Sequence, residues 1–416
     1  MNQSAQVKPP GIWRRYTGLP PTVLALSIVS FLNDTSSDII YPLLPAFLTL
    51  TLGATPFAIG LIEGFAESVA SILKLFSGYL SDKFSRRKLP VFLGYALAAV
   101  MRPLLAFVTS WQQVLAVRTT DRIGKGIRGA PRDALLAQSV PAEKRGLAFG
   151  FNRAADHFGA VVGPVIAFLL LSYFAVDAEN PTAREFQWVF LFASLPVAIG
   201  LFVIVFFVRD HKVESKQTAE LPIKLSIGAF DGNFKKFLLV VALFTLSNST
   251  DAFLLLRAEQ AGVAPAMLPL LWMLLHFSKV FSSLLGGDLS DRIGRKTVIT
   301  AGWVVYAFVY SGFAFVASAW QAWVLFAIYG LYFGFTEGVE KAMVADIVDE
   351  EKRGTAFGWY NLAYGISVLP ASLLFGVMWT QFGASSAFLL SAVISIAAAA
   401  MLLGVNPGRE QARPAV

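Results

Sequence analysis

The feature that most constrains this chain is a recurrence: apolar runs of about 20 residues follow one another along almost its whole length. A helix rising 1.5 Å per residue needs roughly that many residues to cross the ~30 Å hydrocarbon core of a bilayer. Soluble domains interrupt apolar segments sooner and are nearer a quarter charged, whereas 15% of these 416 residues are charged and 56% are hydrophobic. At roughly 35 residues per span and loop, this length accommodates about twelve spans. Backbone inside lipid must satisfy its own hydrogen bonds, and no alternating barrel strands occur, so the expected fold class is an all-α polytopic membrane protein.

The pattern predicts spans near residues 22–50, 57–80, 89–110, 112–137, 146–174, 187–208, 236–257, 266–287, 297–317, 320–347, 356–379 and 384–405. The connections then sort by charge. One set holds Arg14/Arg15, Lys83/Arg86/Arg87/Lys88, Lys144/Arg145, Arg209 to Lys236, Arg292/Arg295/Lys296, Lys352/Arg353 and Arg409/Arg413. The alternate set contains one basic residue, Arg184. The positive-inside rule puts both termini in the cytoplasm, which fits an even number of spans in a cell (inner) membrane. The same rule reads the net charge of +7 as loop charge rather than a nucleic-acid surface.

The longest polar stretch, Arg209–Lys236, follows span six and divides the chain into an N-terminal six-helix bundle (1–208), a cytoplasmic linker (209–235) and a C-terminal six-helix bundle (236–416). The halves echo each other. Gly78-Tyr79-Leu80-Ser81-Asp82-Lys83-Phe84-Ser85-Arg86-Arg87-Lys88 after span two returns as Gly287-Asp288-Leu289-Ser290-Asp291-Arg292-Ile293-Gly294-Arg295-Lys296, 209 positions on. Glu143-Lys144-Arg145-Gly146-Leu147-Ala148-Phe149-Gly150 returns as Glu351-Lys352-Arg353-Gly354-Thr355-Ala356-Phe357-Gly358, 208 positions on. Two motifs at offsets that agree to within one residue indicate a duplicated six-span unit, a construction in which solute binds between the halves.

These residues resemble the major facilitator superfamily. Its G-x-L-[SA]-D-[RK]-x-G-R-[RK] loop signature is complete in the second half and departs at Ser85 in the first. Its fifth-span signature G-x-x-x-G-P-x-x-G-G is matched by Gly159, Gly163 and Pro164, with Ala167 and Phe168 in place of the last two glycines. Arg118 fits the fourth-span arginine of the family. The resemblance implies two pseudo-symmetric six-helix bundles and alternating access. The fifth-span signature marks proton antiporters in that family, which implies proton-coupled efflux; an uptake permease for a sugar, organic acid or metal chelate is the alternative.

Physically, Gly78 and Gly287 would allow close packing at the cytoplasmic ends of spans two and eight. Asp82 and Asp291 would cap a neighbouring helix or pair with Arg86 and Arg295, forming a cytoplasmic gate. Gly159, Gly163 and Pro164 would permit tight approach of span five. Charges inside spans are costly unless paired or wet. They single out Asp34, Asp38, Glu63, Glu67, Arg118, Asp121, Arg153, Asp156, Asn248, Asp251 and Glu337 as substrate or proton-coupling candidates, with salt bridging as the competing role of each. Asp34, Asp38, Glu67 and Asp156 are the foremost proton carriers. Trp272, Tyr306, Tyr310, Tyr329, Tyr332, Trp359, Tyr360 and Tyr364 would line a cavity, sit at the membrane interface or pack.

Other chemistry is excluded or unsupported. The chain has no Cys, and His157, His211 and His276 are too scattered for a histidine metal cluster. No phosphate-cradling Gly-x-x-x-x-Gly-Lys motif or nucleophile-and-base arrangement is present, so neither an enzyme nor an ATP-driven pump is expected. The expectation is a secondary transporter with no cofactor and no metal, energised by a proton gradient. Its partners would be a small polar or charged organic solute and the lipid bilayer, with no nucleic acid, and it would act as a monomer.

Overall fold

Because lipid offers no hydrogen-bond partners, each apolar run closes its backbone bonds within a helix. A computed structural model describes residues 19–83, 87–141, 144–208, 227–349 and 352–406. Twelve long helical segments occupy them: α1 Pro21–Thr51, α2 Pro56–Lys83, α3 Lys88–Phe107, α4 Trp111–Gln138, α5 Arg145–Phe174, α6 Ala183–Phe207, α7 Gly232–Gln260, α8 Pro265–Ile293, α9 Arg295–Phe315, α10 Ala319–Ile347, α11 Arg353–Phe382 and α12 Ala384–Leu403. Eleven are long and apolar enough to cross a membrane. The exception is α4, whose run from Arg118 to Asp133 carries seven charges. It is long enough at 28 residues, and its packing between α2 and α3 buries Arg118, Asp121 and Arg128.

Two segments leave regular α geometry. In α1 the backbone tightens at Tyr41–Leu43 and widens at Phe47–Thr51, around Pro42 and Pro45, which cannot donate to the preceding turn. α7 is broken outright: Gly232–Ser247 and Ala252–Gln260 are helical, and Asn248 to Asp251 between them are not.

The pairing pattern repeats. In the first half α1 packs on α5 and α6, α4 on α2 and α3, and α3 on α6. In the second half α7 packs on α11 and α12, α10 on α8 and α9, and α9 on α12. The halves meet chiefly along α2 with α11 and α5 with α8, which are equivalent pairs. Helix starts repeat as well. The Gln113 carboxamide accepts from the Thr109 backbone N–H at 2.7 Å, and that of Gln321 accepts from Ala317 at 2.8 Å, again 208 positions on.

The basic residues of the two repeated motifs close helix ends. Lys88 Nζ donates to the Val205 carbonyl (2.9 Å) at the end of α6, and Lys296 Nζ to the Leu403 carbonyl (3.1 Å) at the end of α12. Arg145 donates to Ala137 near the end of α4 (3.3 Å), and Arg353 to Ala345 near the end of α10 (3.1 Å). Cations thus satisfy last-turn carbonyls where the helix dipole is negative. We refer to this end of the molecule as the basic end. The outer faces are apolar: α6 alone exposes Leu195, Ile199, Phe202 and Phe206, a surface suited to lipid rather than water.

Candidate functional site

Between the halves lies a cavity of about 810 Å³. From α1 it is lined by Asn33, Asp34, Ser37, Asp38 and Tyr41, which recur at helical spacing along one face. From α7 it takes Asn248, Ser249, Thr250 and Asp251, the residues of the helix break. Broken helices at mid-membrane expose backbone and polar side chains where a solute can reach them. The mouth at the basic end is marked by Arg153, 66% exposed, and Glu337, 69% exposed. At the opposite end the cavity is sealed. The Tyr41 and Trp272 rings meet at 4.7 Å, and the hydroxyls of Tyr41 and Thr250 lie 3.4 Å apart. Tyr41 and Thr250 are 209 positions apart, so this contact joins equivalent positions of the two halves.

Behind and along the first-half wall, charges of opposite sign face one another. Arg118 of α4 grips Glu63 of α2 through two hydrogen bonds of 2.9 and 2.8 Å, with both side chains buried. Arg102 of α3 pairs with Asp121 at 3.3 Å and donates to the backbone (2.8 Å) and side-chain (3.0 Å) oxygens of Asn33. Arg128 donates to the same Asn33 side-chain oxygen (3.3 Å) and to Gly94 (3.0 Å), over the Tyr95 ring. Asn33 in turn donates to Asp34 at 2.8 Å. Arg132 reaches Ser30 (3.0 Å) and Asp133 (3.1 Å) and lies 4.0 Å from Asp156, which also faces Arg153 at 3.6 Å. Glu67 is 3.9 Å from both Arg122 and Lys125.

The second half answers with rings. At the offset of 209, Glu63 and Glu67 of α2 correspond to Trp272 and His276 of α8. At 208, Arg118, Asp121 and Lys125 of α4 correspond to Phe326, Tyr329 and Phe333 of α10. Trp272 Nε1 donates to Asp38 Oδ1 at 2.9 Å, tying α8 to α1 across the halves. Lys279 sits 3.4 Å above the centre of the Phe333 ring and 4.0 Å from Asp251, which accepts from Tyr329 at 2.8 Å. One wall of the cavity is therefore densely charged, and the other sets the rings of Trp272, Phe333 and Tyr364 among Asp251, Lys279 and Glu337.

Of the residues singled out by sequence, Asp34, Asp38, Glu63, Glu67, Arg153, Asp156, Asn248, Asp251 and Glu337 line the cavity. Arg118 and Asp121 do not: each is 4% exposed and locked in an ion pair behind the wall. Tyr306, Tyr310, Tyr329 and Tyr332 are neither belt nor lining residues but a buried ring cluster within the second half, Tyr306 stacking on Tyr310 at 4.0 Å. Gly159 and Gly163 abut the α1 backbone at Phe31 and Thr35, so side chains there would collide.

The expected cytoplasmic gate differs. Gly287 faces open space, and its neighbour Gly286 makes the close approach, to Gly334. Arg295 pairs with Asp346 of α10 at 2.8 Å rather than with Asp291, which among the described residues forms no ion pair. The turn before Arg295 is made by Gly294 at φ +90°, where a side chain would be strained. Gly78 and Asp82 fall within α2, but their surroundings, like Arg86 itself, lie outside the described residues.

Several lining residues go unnamed by sequence reasoning, Arg102 and Tyr41 among them. Arg102 is the sole charge between Leu89 and Ser110, which is signal enough. Tyr41 precedes Pro42 at the end of an otherwise regular helix and carries no such mark.

Comparison with known proteins places this architecture. The family model described as Major Facilitator Superfamily matches residues 26–336 and, in a second match, 236–415. An uncharacterized MFS-type transporter of Methanocaldococcus jannaschii is 35% identical over 398 residues, covering 92% of this chain and 95% of the relative. A multi-drug resistance efflux pump of Streptococcus pneumoniae is 23% identical over 370 residues, covering 86% and 89%. The crystal structure of a point mutant of a nucleoside transporter superposes with a TM-score of 0.78 at 16% identity, covering 92% of this chain and 99% of that one. Such relatives are transporters rather than enzymes, and the chain belongs to the Major Facilitator Superfamily.

Proposed function

We propose that this multi-pass secondary transporter exports a small polar or charged organic solute in exchange for protons, by alternating access, with its basic end and both termini in the cytoplasm of the inner membrane. The observation that carries the reading is the cavity between the halves, open at the basic end and closed opposite by Tyr41 and Trp272. By the positive-inside rule this is an inward-open state, ready to load solute from the cell. Efflux is supported by the fifth-span motif Gly159, Gly163 and Pro164 and by the printed name of the streptococcal relative.

Asp38 is the proposed coupling carboxylate. Ionised, it accepts a charge-assisted hydrogen bond from Trp272 and holds α1 to α8. A proton removes the charge and weakens that tie, so proton occupancy biases which end is sealed. Asp34 and Asp156 flank it on the cavity wall as further carriers, and Glu67 is held instead between Arg122 and Lys125.

The test uses reconstituted vesicles with an imposed pH gradient, following a panel of labelled organic solutes. Solute should move opposite to protons. Asp38→Asn should lower gradient-driven movement at least ~10-fold while solute-for-solute exchange persists, since exchange requires rocking but no proton transfer. Gradient-driven movement at the wild-type rate in Asp38→Asn would remove this residue from the coupling path. Co-movement of solute and protons would reverse the direction to uptake.

A further inference from the structure

The cations that α2, α3 and α4 place along and behind the cavity wall divide into two groups. Arg102, Arg118, Arg128 and Arg132 each donate hydrogen bonds to protein oxygens. Lys74, Arg122 and Lys125 do not: among the described residues none has an acceptor within hydrogen-bond reach, and Arg122 Nε is buried without one. All three line the same α2–α4 wall, and the carboxylate they share, Glu67, stands 3.9 Å from Arg122 and from Lys125. Three cations thus face one carboxylate that hydrogen-bonds to neither of these neighbours.

Cations within spans are costly unless paired or wet, and cations that no protein oxygen hydrogen-bonds are left to the contents of the cavity. The group that answers a guanidinium beside two ammonium groups is an oxyanion, which offers several acceptors to converging donors. The opposing wall supplies what the rest of such a molecule would need. Phe333 stands at the repeat position of Lys125, with Trp272 and Tyr364 also on the cavity, and the one ammonium on that wall, Lys279, has Asp251 at 4.0 Å to itself, whereas Glu67 is shared by three cations.

We propose that Lys74, Arg122 and Lys125 form an oxyanion cradle, and that the solute is an organic anion. Its carboxylate or phosphate docks on α2 and α4, and its apolar or aromatic body rests against Trp272, Phe333 and Tyr364. This rests on the transport reading for the word solute; the anion preference itself does not need transport to be measured.

The chain has no Cys, so a single introduced thiol reports on the cavity alone. Gly129 lines the cavity one helical turn beyond Lys125, and a β-carbon there meets nothing within 4 Å. In full-length Gly129→Cys, the rate of modification by sulfonatoethyl methanethiosulfonate is compared with that by its trimethylammonioethyl analogue, each normalised to free cysteine. The anionic reagent should be favoured about tenfold, the low end of what a charged cleft adds to on-rates. K74Q/K125Q should abolish the preference, and K125R should keep it, which separates charge from folding. Protection of the thiol by succinate would assign the docking group as carboxylate, and protection by glucose 6-phosphate as phosphate. A preference for the cationic reagent, a ratio unchanged in K74Q/K125Q, or protection by tetraphenylphosphonium alone would overturn the proposal. Because no transport is measured, these outcomes leave the secondary-transport reading standing, and failure of vesicle transport would leave the anion preference standing.

Discussion

Glu63→Gln should destabilise the folded protein by about 3–5 kcal/mol, the cost of breaking a buried ion pair by removing one partner. Arg118 is held by two short hydrogen bonds to Glu63, with the Tyr41 ring 5.8 Å from its guanidinium. Glutamine keeps the shape and removes the charge, leaving the guanidinium in a low dielectric without a counter-ion. The asymmetry of buried pairs gives the control: Glu63→Met with Arg118→Met removes both charges and should recover most of the loss. Thermal unfolding of the purified protein checks both. A Glu63→Gln midpoint equal to that of the parent would mean that water reaches Arg118, contrary to its 4% exposure.

The second large effect concerns the seam that seals the end opposite the basic loops. There α2 and α11 run close together because small residues face each other. A β-carbon on Gly60 would strike the Ser372 carbonyl, and one on Gly64 would strike the Ser372 side chain. Ser68 donates to the Gly365 carbonyl at 2.6 Å, and the Phe57 N–H to Thr380 at 3.2 Å. Such seams let backbones approach and cannot absorb bulk. Gly60→Leu should wedge the seam apart and shift the population toward the state open at that end, with transport lowered at least ~10-fold because the cycle stalls. The helices should remain intact, since Gly60 lies within regular α2. Wild-type transport by Gly60→Leu would show that α2 and α11 do not form the seal.

The spans are legible in the sequence because hydrocarbon imposes one length and one backbone solution. α4 is the instructive case: by hydropathy alone it fails, yet the alternation of loop charge requires a span between Ser110 and Gln138. The duplication is legible from two motifs, and the mixed charge of α1, α2, α4 and α5 points to the cavity wall. What sequence cannot divide is consumed charge from available charge. Arg118 and Arg122 sit one turn apart on one helix, and their different fates depend on where Glu63 and Glu67 fall along α2. The break in α7 is readable in Asn248-Ser249-Thr250-Asp251, four polar residues within a run that hydropathy makes continuous. The repeated loop motifs suggest a gate, whereas Arg145, Arg353, Lys88 and Lys296 cap helix ends. That role is visible only once the chain ends of α4, α6, α10 and α12 are placed beside them.

The central claim is that two rigid halves rock about this cavity, so that one end closes as the other opens. It is tested most directly by pulsed electron paramagnetic resonance in the cysteine-free chain. One spin-label pair, Lys144→Cys with Lys352→Cys, spans the basic end at equivalent positions of the halves. The other, Tyr173→Cys with Gln260→Cys, spans the opposite end. In the parent protein the basic-end pair should show the open separation. Introducing Gly60→Leu should shorten it while lengthening the opposite pair, by amounts that rise and fall together. Both distances lengthening together, or one changing while the other stays fixed, would contradict alternating access by these two halves.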